Sequence, residues 1–189
     1  MIRSHLYKRT ANLPCKLISR DDSRYLERYF IRELANGGRV YLHRFVSGDG
    51  DEEVHDHPWN GTAICLAGGY LEERVRYLSP EGGWISQERH IFPGRINRIR
   101  ASDFHRILAT KPDTWTLFIT GPLVLRGCGR PKGWGFLRKI PPRPYCVGQE
   151  RFPSVLYYQP FGMTHDRRWW EGAPLGRDAD RAPMAWGKR

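Results

Sequence analysis

Between Gly38 and Leu125 glycine and proline cut the chain into short segments, and each segment reads as a strand. "RVYLHRFVS" alternates with period two, so Val40, Leu42 and Arg44 face one way and Tyr41, His43 and Phe45 the other. "TAICLA" is nearly all apolar, as a strand covered on both faces would be. Gly68 and Gly69 turn the chain, and "YLEERVRYL" returns as a strand. "WISQERHIF" follows the "SPEGG" turn and runs up to Pro93 and Gly94. "RINRIR", "DFHRILA" and "WTLFITGPLVL" complete the series. Seven or eight short strands joined by tight turns predict an all-β sandwich or barrel.

The flanks read differently. In "SRDDSRYLERYFIREL" (19–34), Tyr25, Leu26, Tyr29, Phe30 and Leu34 recur at helical spacing. Asp21, Asp22 or Ser23 can cap a helix there, and "NGG" at 36–38 can stop it. The expected organisation is an N-terminal segment with one helix (1–37), a barrel (38–125) and a Gly/Pro/Arg-rich extension (126–189). The extension carries Trp169, Trp170 and Trp186, more aromatic surface than a disordered tail usually holds, so irregular structure packed on the barrel is expected.

Composition narrows the function. No run of 18 apolar residues exists, so no membrane span is expected. The first residues lack an apolar signal core, and Cys15, Cys65, Cys128 and Cys146 form no CxxC pair. Reduced thiols in a cytoplasmic protein (host cytoplasm, if phage-encoded) are expected. The net charge of +11 comes mainly from 25 arginines, with only six lysines. A basic surface can bind nucleic acid, but these arginines form no block, so nucleic acid is not the favoured partner.

Chemistry concentrates in "HDHPWN". On a strand, residues i and i+2 share a face, so His55 and His57 can point together into a barrel while Asp56 points away. Pro58 biases His57 toward extended backbone. Read alone, the pair fits a surface turn as well as a metal site. His105 in "DFHRILA" offers a third imidazole if its strand lies beside the HxH strand. Three neutral imidazoles on one ion leave positions open for substrate, water or dioxygen.

This arrangement resembles the cupin superfamily over roughly residues 38–125. The first cupin motif is Gly-x5-HxH-x3,4-Glu-x6-Gly. Here Gly48 or Gly50 precedes HxH and Gly69 closes the motif, but Thr62 stands where glutamate belongs. The second motif is looser: Pro93, Gly94 and His105 remain, and Ala109 replaces its asparagine. Three histidines without the glutamate resemble the thiol dioxygenase branch, such as cysteine dioxygenase. "HDHPW", "GGY", "DFHRI" and "WTLFITGP" also resemble small uncharacterised cupin-like proteins of phage and bacterial genomes.

The resemblance implies a small cupin-type β-barrel (double-stranded β-helix) with His55, His57 and His105 holding a divalent metal. Fe(II) is favoured, with Zn, Mn or Ni also compatible. It implies an oxygenase acting on a small polar or anionic substrate. A metal-dependent isomerase, epimerase or lyase is the first alternative, and a non-catalytic ligand- or nucleic-acid-binding module the second. Asp103, His90, Arg44 and Thr62 are candidates for orienting a ligand or touching substrate. Asp103 would accept from a ligand imidazole, and Arg44, if inward, would hold an anion. One of Glu72 and Glu73 can supply a late fourth, oxygen ligand, but an exposed hairpin is the favoured reading, and Tyr70, Trp59 and Trp115 read as pocket walls or core. Exposed strand edges can pair two copies into a homodimer. "GRPKGWG" lacks phosphate-loop spacing, and no GxSxG is present.

Overall fold

A computed structural model describes residues 2–20, 23–47, 53–79, 83–128, 132–140, 155–162 and 168–185. One α-helix, α1 (Ile2–Arg9), precedes twelve strands. These are β1 (Cys15–Arg20), β2 (Ser23–Glu33), β3 (Arg39–Phe45), β4 (Val54–His55), β5 (Trp59–Ala67) and β6 (Tyr70–Ser79). They continue with β7 (Gly83–Ile91), β8 (Ile96–Ile99), β9 (His105–Thr110), β10 (Thr114–Leu123), β11 (Trp134–Ile140) and β12 (Val155–Gly162). No helix among the described residues is long and apolar enough to cross a membrane.

Two six-stranded sheets form, ordered β1-β2-β3-β10-β5-β8 and β12-β11-β4-β9-β6-β7, and every pairing is antiparallel. The eight strands β3–β10 therefore divide as β3-β10-β5-β8 against β4-β9-β6-β7. Consecutive strands alternate between sheets except at β6–β7, and first and last strands pair. That order is two interlocked Greek keys, the double-stranded β-helix of a cupin-type barrel. The β5–β6 crossing needs Gly68 at φ +79° and Gly69 at φ +134°. A Cβ on Gly68 would sit 2.3 Å from the Thr114 hydroxyl, so only glycine fits that turn.

The helix expected over 19–34 is instead β1 and β2. Tyr25, Tyr29, Phe30 and Ile31 are strand-favouring types, and β2 finds partners on both sides. Its true period is two: Glu27 and Tyr29 share a face, and the Tyr29 hydroxyl donates to Glu27 Oε2 at 2.6 Å. The extension, expected to be irregular, adds β11 and β12 to the second sheet, with β11 directly beside β4. Residues 168–185 are mostly irregular and wrap the β1 edge of the first sheet. Trp169 and Trp170 pack on the Phe30–Tyr41 face, Cys15 N–H donates to the Pro174 carbonyl at 2.8 Å, and the Ala182 and Pro183 carbonyls reach Arg44 on the opposite face.

Sheet alternation separates two cores. Outside the first sheet, Tyr29, Leu42, Trp115 and Cys15 pack with Leu6 and Tyr7. Between the sheets lie Tyr41, Ala63, Ile99 and Phe118, and further along Cys65, Tyr70 and Ile91. Every residue of β3 from Val40 to Phe45 is buried because both of its faces are covered.

Candidate metal centre

β4 is two residues long and is gripped on both sides. His55 pairs with Phe136 of β11 and with His105 of β9, so His55 and His105 are direct cross-strand neighbours. The chain stays extended to His57, which brings its ring back to the same side. Ring centroids are 5.1 Å apart for His55–His57, 5.2 Å for His55–His105 and 5.0 Å for His57–His105. One nitrogen from each ring lies within 4.8 Å of the others. His57 Nε2 and His105 Nε2 are 2.8 Å apart.

Asp56 points the opposite way and holds the turn between the two histidines. It is 3% exposed and accepts from Gly135 N–H at 2.8 Å, from the Tyr158 hydroxyl at 3.1 Å and from Lys132 Nζ. Lys132 also donates to the His57 carbonyl at 3.1 Å and the Ala101 carbonyl at 2.8 Å. The pairing of β11 with β12 needs a glycine, because a Cβ at position 135 would meet the Gln159 carbonyl of β12 at 2.3 Å. The extension thus forms one wall of the site and fixes the HxH backbone.

Behind His105 stands Glu72, which is fully buried. Its Oε1 lies 2.8 Å from His105 Nδ1. A carboxylate only accepts, so His105 carries its proton on Nδ1, and in the neutral ring Nε2 presents a lone pair to the cluster. Arg74 donates to Glu72 at 3.0 and 3.1 Å, Asn97 Nδ2 at 2.9 Å and Arg89 at 3.4 Å. Burial alone would raise the Glu72 pKa. The bond and charge of His105, with Arg74 and Asn97, outweigh it and hold the carboxyl down at about 2.

The contact to a histidine of the cluster that was expected of Asp103 is made by Glu72. Asp103 instead accepts from Arg74 at 3.2 Å and from Arg100 N–H at 2.9 Å, one step further back. The high charge of "YLEERVRY" suits an exposed hairpin, yet Glu72 is fully buried. The signal that could have found it is the period: Tyr70, Glu72 and Arg74 share the face that must point inward.

Three other candidates are not at the cluster. Arg44 lies on the outer face of β3, bound to Glu27 and Asp113, and does not face the barrel interior. His90 is exposed on β7, opposite Leu71. Thr62 points outward with Ile64 and Leu66, because Gly61, Ala63 and Cys65 take the inward positions of β5.

Aromatic rings surround the cluster. Trp59 stacks on His57 with centroids 4.3 Å apart and planes at 13°. Trp134 and Phe136 lie 6.2 and 6.0 Å from His55, and Phe118 meets Trp59 at 5.2 Å. Trp115 is no wall of this site, since it stacks on Tyr29 in the outer core. Tyr70 packs on Phe45. Burial first, then the charges of His105, His55, Arg28 and Lys132, hold the His57 pKa well below its ordinary value. His57 is thus a neutral imidazole, the form that binds metal. A separate cleft of about 500 Å³ beside β1, lined by Cys15, Lys16 and Trp169 among others, shares no residue with the cluster.

The fold and the cluster together define a small cupin-type barrel with a convergent three-histidine site. No family model and no curated protein matches the sequence. Solved structures match over little more than half the chain. FeII HppE is 14% identical at TM-score 0.45, covering 57% of this chain and 56% of its own length. KdgF from Halomonas sp. is 16% identical at TM-score 0.41, covering 57% and 94%. Vicilin from Corylus avellana (hazelnut) is 10% identical at TM-score 0.45, covering 57% and 30%. The chain thus spans 56% of the length of FeII HppE. At these scores the assignment of the fold rests on the strand order itself.

Proposed function

We propose that His55, His57 and His105 hold one divalent ion, Fe(II), and that the protein is a metal-dependent cupin enzyme, an oxygenase of a small anionic substrate. The observation that carries this reading is the convergence of three ring nitrogens, one of them backed by a buried carboxylate. Two imidazole nitrogens, each about 2.0–2.1 Å from a shared ion and at a right angle, would be about 3 Å apart. The 2.8 Å between His57 Nε2 and His105 Nε2 fits that spacing. Glu72 is engaged on the far side of His105, so the donor set is three imidazoles and no carboxylate.

Such an ion supplies Lewis acidity and, as Fe(II), redox chemistry with dioxygen. The chain supplies the rest. Glu72 fixes the His105 tautomer and ring angle. The Asp56–Lys132–Gly135 bonds hold the backbone of the two β4-side ligands. Trp59, Phe118, Trp134 and Phe136 exclude water from the approach, which strengthens electrostatic contacts made inside.

Oxygen consumption tests the reaction class. Fe(II)-loaded protein is offered small carboxylates and phospho compounds, with the His105→Ala variant as the blank. The expected result is substrate-dependent oxygen uptake by the wild type alone. Turnover without oxygen uptake would move the reading to an isomerase, epimerase or lyase at the same site.

A further inference from the structure

Arg32, Arg76 and Arg98 are exposed strand arginines with no ion pair among the described residues, whereas, Arg28 apart, those that are partly or fully buried have a carboxylate within ion-pairing distance. Arg24 meets Asp180, Arg44 meets Glu27 and Asp113, Arg74 meets Glu72 and Asp103, Arg106 meets Glu73 and Arg138 meets Glu53. Arg28 is different. It is partly buried on β2, opposite His43, so the two share the inward face of the first sheet. No carboxylate among the described residues lies within ion-pairing distance of it. Its Nε–H donates to His43 Nε2 at 3.1 Å, and its guanidinium lies 5.4 Å from the centre of the Tyr41 ring.

That leaves both terminal NH2 groups of a permanently charged fork without a protein acceptor among the described residues. His43 offers no counter-charge. It accepts at Nε2, so its proton is on Nδ1, and burial followed by the charge of Arg28 keeps the ring neutral. From Arg28 a continuous row of side chains leads to the cluster. His43 stacks on Phe118 at 4.8 Å, Phe118 meets Trp59 at 5.2 Å, and Trp59 stacks on His57 at 4.3 Å. A partly buried cation whose single hydrogen-bond partner is neutral has lost water without gaining a counter-charge, and a fork of free donors matches the oxygens of a carboxylate or phospho group.

We infer that Arg28 is the specificity-determining residue of the site: its guanidinium binds the terminal oxyanion of the substrate, a small organic carboxylate or phospho compound whose other end reaches the histidine cluster. This rests on the reading of the cluster as the place of reaction. It moves the anion-binding role from Arg44 to a residue outside the eight barrel strands, on the strand that extends the first sheet past β3. Tyr41 and His43 set the fork's plane, and the aromatic row between the oxyanion and the metal side fits an uncharged middle portion of the substrate.

The test uses the full chain as purified, with inorganic phosphate and acetate as probes. Calorimetry gives the dissociation constant for the wild type, Arg28→Gln and Arg28→Lys, and metal content is measured on the same samples. Loss of charged hydrogen bonds should weaken binding of the preferred probe roughly 10- to 100-fold in Arg28→Gln. Arg28→Lys should fall between, because lysine keeps the charge and loses the fork. Which probe binds tighter tells a carboxylate from a phospho substrate. Metal content should be equal in all three. Without probe, Arg28→Gln should melt at or above the wild-type temperature, since it removes a charge with no counter-ion; a purely structural arginine would give a drop. Equal probe affinity in wild type and Arg28→Gln, or no binding of either probe to the wild type, would overturn the proposal. A wild type without metal that still loses probe affinity in Arg28→Gln would sustain the oxyanion site and defeat the metal reading instead.

Discussion

Arg28 and Arg44 sit on adjacent strands, one register step apart, on opposite faces of one sheet. Arg44 is 1% exposed and saturated: Glu27 and Asp113 accept from it, and so do the Ala182 and Pro183 carbonyls at 2.6 and 2.8 Å. The carboxylates in turn accept from Ala182 N–H at 2.7 Å and Ala185 N–H at 2.9 Å. That centre is closed: its charges are matched within the chain, and it straps residues 182–185 onto the outer face. The inner face has no such matching of charge. Arg28 has one neutral acceptor, and the three histidines turn their nitrogens toward each other with no acid among them. A saturated centre does structural work; an unsaturated one of the same residue type is built for something that comes from outside.

The largest effect should fall on the closed centre. Arg44→Met leaves Glu27 and Asp113 buried without their cation and should cost about 3–5 kcal/mol of stability, read by urea denaturation. Metal content of the folded fraction should stay at the wild-type level. Loss of metal from protein that is still fully folded would break the separation of the two faces.

A smaller effect is expected from Glu72→Gln. Weakening the carboxylate behind a ligand imidazole should lower metal affinity roughly 10- to 100-fold in a chelator competition. An unchanged affinity would show that His105 needs no orienting partner. The same variant gives the smallest effect, in acid. The Glu72 pKa falls from an ordinary 4.5 to about 2 on folding. Its contribution to stability is therefore fully present above about pH 4.5 and is lost as the pH falls toward 2. Glu72→Gln should flatten the slope of stability against pH in that window, measured by denaturation at a series of pH values. An unaltered slope would place the acid sensitivity in other carboxyls.

That His55 and His57 come to one side was legible in the sequence, because the alternation of "HDH" is a property of the chain alone. His105 became legible through the barrel topology that the Gly/Pro turns imply, and β9 does lie beside β4. Glu72 was not, because its role depends on β6 pairing β9, 33 residues away in the chain for the Glu72–His105 contact. The charges around it read as solvent-facing. The β2 segment misled for a related reason. Its apolar residues satisfy helical spacing, whereas its inward–outward period includes Glu27, a buried acid whose partner Arg44 is on the next strand. Arg28 and Arg44 could not be ranked before β2 was known to be a strand, since only its pairing with β3 decides which face each arginine takes.

The central claim is that His55, His57 and His105 form one metal centre. Elemental analysis of the wild type beside His55→Ala, His57→Ala and His105→Ala tests it most directly, with circular dichroism confirming that each variant is folded. The account predicts about one divalent ion per wild-type chain, iron when iron is supplied, and its loss in each variant. Stoichiometric metal in all three alanine variants, or a wild type that takes up none, would contradict it.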